Sequence, residues 1–128
     1  MVFEHLSEAK LFKIPKIPWN DHVLYDDVYT SKEGTSPENS LTGSFFFIEN
    51  TDAAPETLPK YISDETGVVL RGTVKLEDET GKQVTMKAGD TFFIHRGSEV
   101  TWSSDDYALC FKAGNRAKFD MNMEAEKK

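Results

Sequence analysis

Apolar and polar residues alternate over short runs in the second half of the chain, a pattern typical of β-strands with one buried face. Val74 and Leu76 alternate with charged residues, a polar turn follows at residues 78–81, and Val84 and Met86 then alternate with polar residues. This arrangement predicts a β-hairpin. Three more strands are predicted, at residues 92–94, 99–103 and 107–112.

The first half carries two further strand signals. Residues 41–49 include three consecutive phenylalanines and an isoleucine, which predicts a strand buried on both faces. Residues 19–29 mix aromatic and β-branched side chains with acids, which predicts one or two short strands. Polar segments rich in Gly, Pro and Asn separate these elements, so the fold class is all-β, a sandwich or a barrel.

Both ends of the chain differ from this strand-rich middle. Pro15 and Pro18 exclude a long helix near the N-terminus, although a helical turn fits residues 7–10. Polar residues dominate after Gly114. The predicted organisation is therefore an N-terminal arm (1–18), a single β domain (19–115) and a polar C-terminal tail (116–128).

Composition and charge indicate the class of protein and disfavour some kinds of partner. A chain of 128 residues with 38% hydrophobic residues is the size of one domain with its own core. Its formal charge of −7 disfavours nucleic acid and anionic membranes, because both repel an acidic protein. The single cysteine, Cys110, and the lack of a long apolar run favour a reducing, cytoplasmic location.

A spaced motif begins at the turn before residues 92–94. Counting from Gly89 gives His95 after five residues, Gly97 two positions later and Val100 after two more residues. This spacing resembles the second half of the cupin signature, in which Gly, Pro, Gly and a metal-binding His occupy these four positions. His95 stands at the proline position and Val100 at the metal-ligand position.

The first half of that signature also fits by counting back from Gly72. Glu65 falls on the glutamate position, and Lys60 and Leu58 fall on the two histidine positions. The resemblance covers about residues 43–113 and is closest to small single-domain cupins of the ethanolamine-utilisation Q type. It implies a double-stranded β-helix (jelly-roll) barrel and, through the N-terminal arm, a homodimer.

In cupins the residues at ligand positions face one cavity, so the resemblance implies that Leu58, Lys60, Glu65 and Val100 line a pocket. Trp102 should share the inward face with Val100, because side chains alternate along a strand. The predicted pocket is mainly apolar with few polar groups, as small-molecule sites usually are.

Glu65 and Lys60 are the main candidates for catalysis. Apolar surroundings would raise the pKa of a carboxyl group and a nearby ammonium would lower it, so such a pair suits proton transfer near neutral pH. A Schiff base on Lys60 is a second possibility. The alternative without chemistry is a salt bridge at the barrel mouth.

His95 is a third candidate acid or base, because the pKa of histidine lies near neutrality; its alternative is an ordinary turn residue. Tyr61 and Phe93 either border the cavity or pack in the core. Glu65 alone offers a metal donor at a matched position, whereas a metal site needs three or more converging ligands, so no metal and no cofactor is expected.

Three functions are compatible with the sequence. The first is a metal-independent isomerase, lyase, dehydratase or cyclase that acts on a small carbonyl-bearing or aromatic molecule. The second is a non-catalytic cupin that binds a small molecule, and the third is a divergent metal-dependent cupin enzyme. The fold alone does not choose between them, because one scaffold serves many activities.

Overall fold

The structure is a computed structural model that describes residues 3–18, 20–49, 56–57 and 60–118, with the backbone alone given for residues 56 and 57. The described part contains two short 3-10 helices, Glu8–Lys13 and Pro37–Asn39, and nine strands. The strands are β1 (Lys16–Ile17), β2 (Asn20–Thr30), β3 (Thr42–Glu49), β4 (Glu56–Thr57), β5 (Glu65–Asp78), β6 (Gln83–Lys87), β7 (Thr91–Ile94), β8 (Val100–Ser103) and β9 (Tyr107–Gly114).

These strands form a curled antiparallel sheet. On one side the order is β1-β2-β3-β9-β5-β7, and on the other it is β4-β8-β5-β6. Strand β5 is long enough, at 14 residues, to belong to both sides, and its register against β9 shifts between Val69 and Arg71. Such an irregularity bends a strand and increases its twist, which lets the sheet close on itself.

The predicted hairpin and the predicted all-β class are confirmed. Strands β5 and β6 pair from Thr73↔Lys87 to Glu77↔Gln83. Asp78 organises the turn between them, because one of its carboxylate oxygens accepts hydrogen bonds from Thr80 and from the backbone N–H of Lys82. The bond from the Thr80 hydroxyl is the main reason that the pKa of Asp78 lies below its usual value.

The core fills the inside of the curled sheet. Trp102 is fully buried, and its ring centroid lies 4.9 Å from that of Phe46 and 5.4 Å from that of Phe92. The other buried apolar residues around it include Val23, Ile48, Tyr61, Val69, Val74, Met86, Ile94, Val100, Ala108 and Cys110. Most come from alternate positions of their strands, as the sequence pattern requires.

The N-terminal segment lies against the sheet. Its 3-10 helix, Glu8–Lys13, overlaps the helical turn that the sequence predicts. The backbone N–H of Leu6 donates to the Tyr29 hydroxyl, and the Lys10 ammonium lies 2.7 Å from the Asp26 carboxylate. No helix in the described ranges is long and apolar enough to cross a membrane.

Two glycines of the predicted motifs, Gly72 and Gly89, differ in how strictly the structure requires glycine. Both Gly72 and Gly89 have positive φ, but a Cβ at Gly72 would lie 2.0 Å from the Tyr107 carbonyl oxygen, whereas a Cβ at Gly89 would meet nothing within 4 Å. We expect Gly72→Ala to lower the free energy of unfolding by about 2–3 kcal/mol and Gly89→Ala by about 1 kcal/mol. Urea denaturation measures both, and equal losses would contradict the role of the close approach.

Candidate functional site

One end of the barrel interior contains four buried charged side chains, which we call the charged cluster: Asp27, Glu65, Lys112 and Arg116. Their exposed fractions are 9%, 2%, 3% and 3%. Charged residues are rarely buried unless they are paired, since removing a charge from water costs free energy. A cluster of two acids and two bases is neutral as a unit, which makes its burial tolerable.

Strand register explains why these residues meet. Lys112 of β9 pairs with Ser44 of β3, and Ser44 pairs with Asp27 of β2. Glu65 begins β5 opposite Gly114 at the end of β9. A Cβ at Gly114 would lie 2.6 Å from the Glu65 Cγ, so glycine leaves the space that the glutamate side chain fills.

Glu65 contacts both cations of the cluster, one with each carboxylate oxygen. Its Oε1 lies 3.3 Å from the Lys112 Nζ, and its Oε2 lies 3.4 Å from the Arg116 Nε. The Arg116 guanidinium also donates two hydrogen bonds of 3.0 Å to the two oxygens of Asp27. Such a bidentate pair fixes the orientation of the guanidinium as well as its position.

Hydroxyl groups complete the surroundings of Asp27 and Arg116. The Ser44 hydroxyl donates to Asp27 at 2.7 Å, and the Arg116 guanidinium donates to the Tyr25 hydroxyl oxygen and to Ser44. The Arg116 carbonyl accepts a 2.6 Å hydrogen bond from Thr42. Arg116 is therefore held at both its backbone and its side chain.

Three aromatic rings surround the Lys112 ammonium. Its Nζ lies 5.4 Å from the ring centroid of Tyr25, 6.0 Å from that of Phe46 and 5.1 Å from that of Tyr61, distances at which cation–π attraction operates. Burial alone lowers the pKa of Lys112, but Tyr61, Tyr25 and the Glu65 carboxylate raise it by more. Lys112 is therefore a protonated ammonium at neutral pH.

Two buried groups keep an unused hydrogen-bonding capacity. Within the described ranges, the Ser63 hydroxyl and the Oε1 of Glu65 are buried with no hydrogen-bond partner. Buried polar groups usually find partners, so each such exception calls for an explanation. Here the two groups belong to one segment, residues 61–65, in which Tyr61, Ser63 and Glu65 are buried and Ile62 and Asp64 are exposed.

The raised pKa values of two buried side chains, Tyr25 and Lys112, predict that the folded state loses stability at high pH. Burial raises the pKa of Tyr25 above its ordinary 10.0, and the pKa of Lys112 lies above its ordinary 10.5. The folded state therefore keeps protons that the unfolded chain releases, so the stabilisation is complete below pH 10 and declines as the pH rises further. Each proton contributes a slope of about 1.4 kcal/mol per pH unit.

Urea denaturation between pH 8 and pH 11.5 measures this slope. The variant Tyr25→Phe should reduce it, and Tyr107→Phe, which changes an exposed tyrosine, should leave it as in the wild type. A free energy of unfolding that stays constant up to pH 11.5 would contradict the prediction.

Comparisons with known proteins show what this chain is similar to. A family model described as the EutQ-like cupin domain matches residues 57–113. Among solved structures, the putative ethanolamine utilization protein Q of Salmonella typhimurium is 25% identical, with a TM-score of 0.62 over 75% of this chain and 71% of that chain. This chain is a small cupin similar to EutQ.

Two other solved structures support the barrel fold of this cupin. The EutQ protein of Clostridium difficile is 22% identical, with a TM-score of 0.60 over 74% of this chain and 63% of that one. Hydroxypropylphosphonic acid epoxidase from S. wedmorenis is 14% identical, with a TM-score of 0.65 over 80% of this chain and 56% of that one. The chain thus spans less than two thirds of these two proteins. No curated protein sequence matches it significantly. The predicted jelly-roll barrel is confirmed.

The structure places the residues predicted from the sequence in different environments. Glu65, Val100, Trp102 and Tyr61 are buried, with exposed fractions of 2%, 4%, 0% and 6%. His95 and Phe93 are exposed and lie together on the surface, with ring centroids 4.8 Å apart. Leu58 lies outside the described residues. The roles predicted for all these side chains in catalysis or substrate binding stay predictions.

The predicted pairing of Lys60 with Glu65 is wrong. Lys60 is exposed, and the ammonium 3.3 Å from Glu65 belongs to Lys112. Burial alternates along residues 60–65: Tyr61, Ser63 and Glu65 are buried, whereas Lys60, Ile62 and Asp64 are exposed. Lys60 therefore lies on the solvent side of the segment, away from the interior that Glu65 occupies.

Sequence reasoning missed most of the charged cluster. Lys112 follows the buried Cys110 by two positions, and Asp27 follows the buried Tyr25 by two, so alternation alone would have assigned both to the interior. No comparable pattern in the sequence indicates that Arg116 is buried. It lies beyond the end of β9, in the segment predicted as a polar tail, yet its side chain is buried.

The side chains at this site are poorly suited to bind the metal ion that the cupin signature holds. Of the described signature positions, Val100 has no donor atom, Lys60 is an exposed cation and Glu65 is already bound by two cations. Residues 3–18, 20–49 and 60–118 contain no group of three His, Cys, Asp or Glu side chains that could hold a metal ion. The positive charge beside Glu65 is instead supplied by Lys112 and Arg116.

Proposed function

We propose that this cupin is a metal-independent enzyme of the isomerase, lyase, dehydratase or cyclase type, which moves protons on a small carbonyl-bearing molecule inside the barrel. The observation that carries the proposal is the Oε1 of Glu65, which is buried without a hydrogen bond and lies 3.3 Å from the Lys112 ammonium. A base and a cation at this separation can act on neighbouring atoms of one molecule.

Glu65 acts as the base in this proposal. Its Oε1 takes a proton from the carbon next to the carbonyl group, and the electron pair of the C–H bond moves toward the carbonyl oxygen. The Lys112 ammonium stabilises the negative charge that develops there. Arg116 holds the other oxygen of Glu65, so the carboxylate keeps one oxygen for anchoring and one for proton transfer.

The polarity of the interior also suits a small ligand. The aromatic rings of Phe46, Tyr61 and Trp102 provide apolar surface, and the Ser63 hydroxyl provides an unused polar group. A lining of this kind, mainly apolar with a few placed polar groups, is typical of small-molecule sites. A hydroxyl group of a bound molecule would donate to the Oε1 of Glu65, and a carbonyl oxygen would accept from the Ser63 hydroxyl. A neutral molecule suits the site better than a strongly charged one, because the charged cluster is already neutral.

Hydrogen–deuterium exchange tests the proposal directly. The protein, dialysed against a chelator, is incubated in D2O with hydroxyacetone, pyruvate and acetophenone, and loss of the protons next to each carbonyl is followed by NMR. We expect catalysed exchange for at least one compound, and we expect Glu65→Gln to slow it by about 10²–10⁴-fold, as removal of a general base does. Lys60→Met is the matched control and should exchange at the wild-type rate.

The two other functions give different results in the same experiment. A compound that quenches tryptophan fluorescence on binding but shows no catalysed exchange would favour a non-catalytic binding protein. Exchange that disappears on chelation and returns with a divalent metal would favour a metal enzyme. Either result would contradict the proposal.

We also propose that the cupin is a cytoplasmic homodimer. Phe3 and Phe12 of the N-terminal arm are 89% and 83% exposed, and a second copy would cover them. The single Cys110 is buried and unpaired, which suits a reducing compartment. Sedimentation analysis of the wild type and of Phe12→Ser tests the dimer, since a monomeric wild type would contradict it.

A further inference from the structure

The hydroxyl group of Tyr61 is polarised by Trp102. The indole Nε1 of Trp102 donates a hydrogen bond of 3.2 Å to the Tyr61 hydroxyl oxygen. Because an indole N–H can only donate, Tyr61 must accept this bond, and its own hydrogen remains available. Across the described ranges, the Tyr61 hydroxyl has no acceptor for that hydrogen.

Both members of this pair are rigidly held. The Tyr61 backbone N–H donates to the Ser98 carbonyl at 3.0 Å, and the Tyr61 carbonyl accepts from the Gly97 N–H at 2.8 Å. Trp102 is fully buried between Phe46 and Phe92. Side chains fixed in this way can keep a hydrogen bond in a catalytic orientation.

Tyr61 and Glu65 share a neighbour. The Lys112 Nζ lies 5.1 Å from the centroid of the Tyr61 ring and 3.3 Å from the Oε1 of Glu65. One ammonium therefore faces both the phenol and the carboxylate. Tyr61 and Glu65 are also both buried, four positions apart in the chain, so the shared ammonium links two interior side chains.

We propose that Tyr61 is the proton donor that works opposite Glu65, and that Trp102 is the residue that positions it. This inference rests on the proposed function and adds a second catalytic residue to it. As Glu65 removes the carbon-bound proton, the C–H electron pair forms a carbon–carbon double bond, and the carbonyl π pair takes the proton of the Tyr61 hydroxyl. The products of the step are an enol, a protonated Glu65 and a Tyr61 phenolate.

Two contacts stabilise that phenolate. The Trp102 N–H already points at the oxygen that becomes charged, and the Lys112 ammonium lies over the ring. Reversal of the two transfers, with the proton returned to a different atom, completes an isomerisation. The charge of the step is conserved, because the negative charge moves from Glu65 to Tyr61 while the bound molecule stays neutral.

The Trp102 contact is tested without any substrate. The Trp102 indole N–H signal is assigned with Trp102→Phe, and its proton chemical shift is compared by NMR between the wild type and Tyr61→Phe. Because Tyr61→Phe removes the oxygen that accepts the indole hydrogen bond, we expect the indole proton signal to move upfield. An unchanged indole signal would overturn the positioning role of Trp102.

The proton-donor role is tested in the deuterium-exchange assay. We expect Tyr61→Phe to slow exchange by about 10²-fold or more, as loss of a general acid does. Exchange at the wild-type rate in folded Tyr61→Phe, together with its loss in Glu65→Gln, would overturn the role of Tyr61 and leave that of Glu65. The opposite pattern would overturn Glu65 as the base while Tyr61 remains.

Fluorotyrosine gives a second test that does not depend on the folding of Tyr61→Phe. Replacement of tyrosine by 3-fluorotyrosine in the otherwise unchanged protein lowers the phenol pKa. If Tyr61 donates a proton, the alkaline limb of the pH–rate profile for exchange should move to lower pH. An alkaline limb at the same pH as in the unlabelled protein would overturn the proposal.

Discussion

Replacement of Arg116 by methionine is expected to lower the free energy of unfolding by about 3–5 kcal/mol, the usual cost of breaking a buried ion pair. The guanidinium makes two 3.0 Å hydrogen bonds to Asp27 and contacts Glu65 at 3.4 Å. Methionine keeps much of the side-chain volume but leaves two carboxylates buried with Lys112 as their one remaining cation in the cluster. Chemical denaturation monitored by circular dichroism measures the loss.

A matched surface arginine provides the control. The Arg96 side chain is exposed, and Arg96→Met should change stability by no more than about 0.5 kcal/mol. The double variant Asp27→Asn with Arg116→Met should recover part of the loss, because it removes one of the uncompensated charges. A loss below 1 kcal/mol for Arg116→Met would contradict the structural role of the charged cluster.

The second large effect is expected for Lys112. Lys112→Met should cost about 3–5 kcal/mol, since it leaves the buried Glu65 with Arg116 as its one remaining cation in the cluster. Glu65→Gln in the same protein should reduce that cost, and the double variant should be more stable than the sum of the single losses by about 1–3 kcal/mol. A double-mutant cycle measured by urea denaturation gives this coupling.

Lys60→Met is the most direct control for the double-mutant cycle of Lys112 and Glu65. The sequence places Lys60 at a position matched to a family ligand, but the structure places it at the surface. Lys60→Met should therefore stay within about 0.5 kcal/mol of the wild type and show no coupling to Glu65→Gln. Coupling of Glu65 to Lys60 rather than to Lys112 would show that the assignment of the ammonium is wrong.

The strands were predictable because each carries its own local signal. Alternation at Val74 and Leu76 set the inward face of the hairpin, and the glycines with positive φ marked its neighbouring turns. The same alternation, applied to β9, also carried the information that Lys112 shares a face with Cys110. A lysine is rarely buried, so this alternation is a weak signal for an interior Lys112.

Glu65 was found by a different route. Its position follows from the spacing to Gly72, and burial of its side chain agrees with the inward face expected for a ligand position. The cation beside it could not be found by counting within the motif. Lys112 and Arg116 lie 47 and 51 positions later in the chain, and only the pairing of β5 with β9 brings them to Glu65.

By itself, the sequence determined the all-β class, and its resemblance to the cupin signature implied a jelly-roll barrel with Glu65 facing inward. Strand signals and motif spacings depend on residues that are close together in the chain, through side-chain alternation and the backbone freedom of glycine. Tertiary structure alone decided which charges surround Glu65, because strand register and the turn after β9 are long-range properties. A lysine or arginine becomes part of a site only when the fold buries it beside a carboxylate.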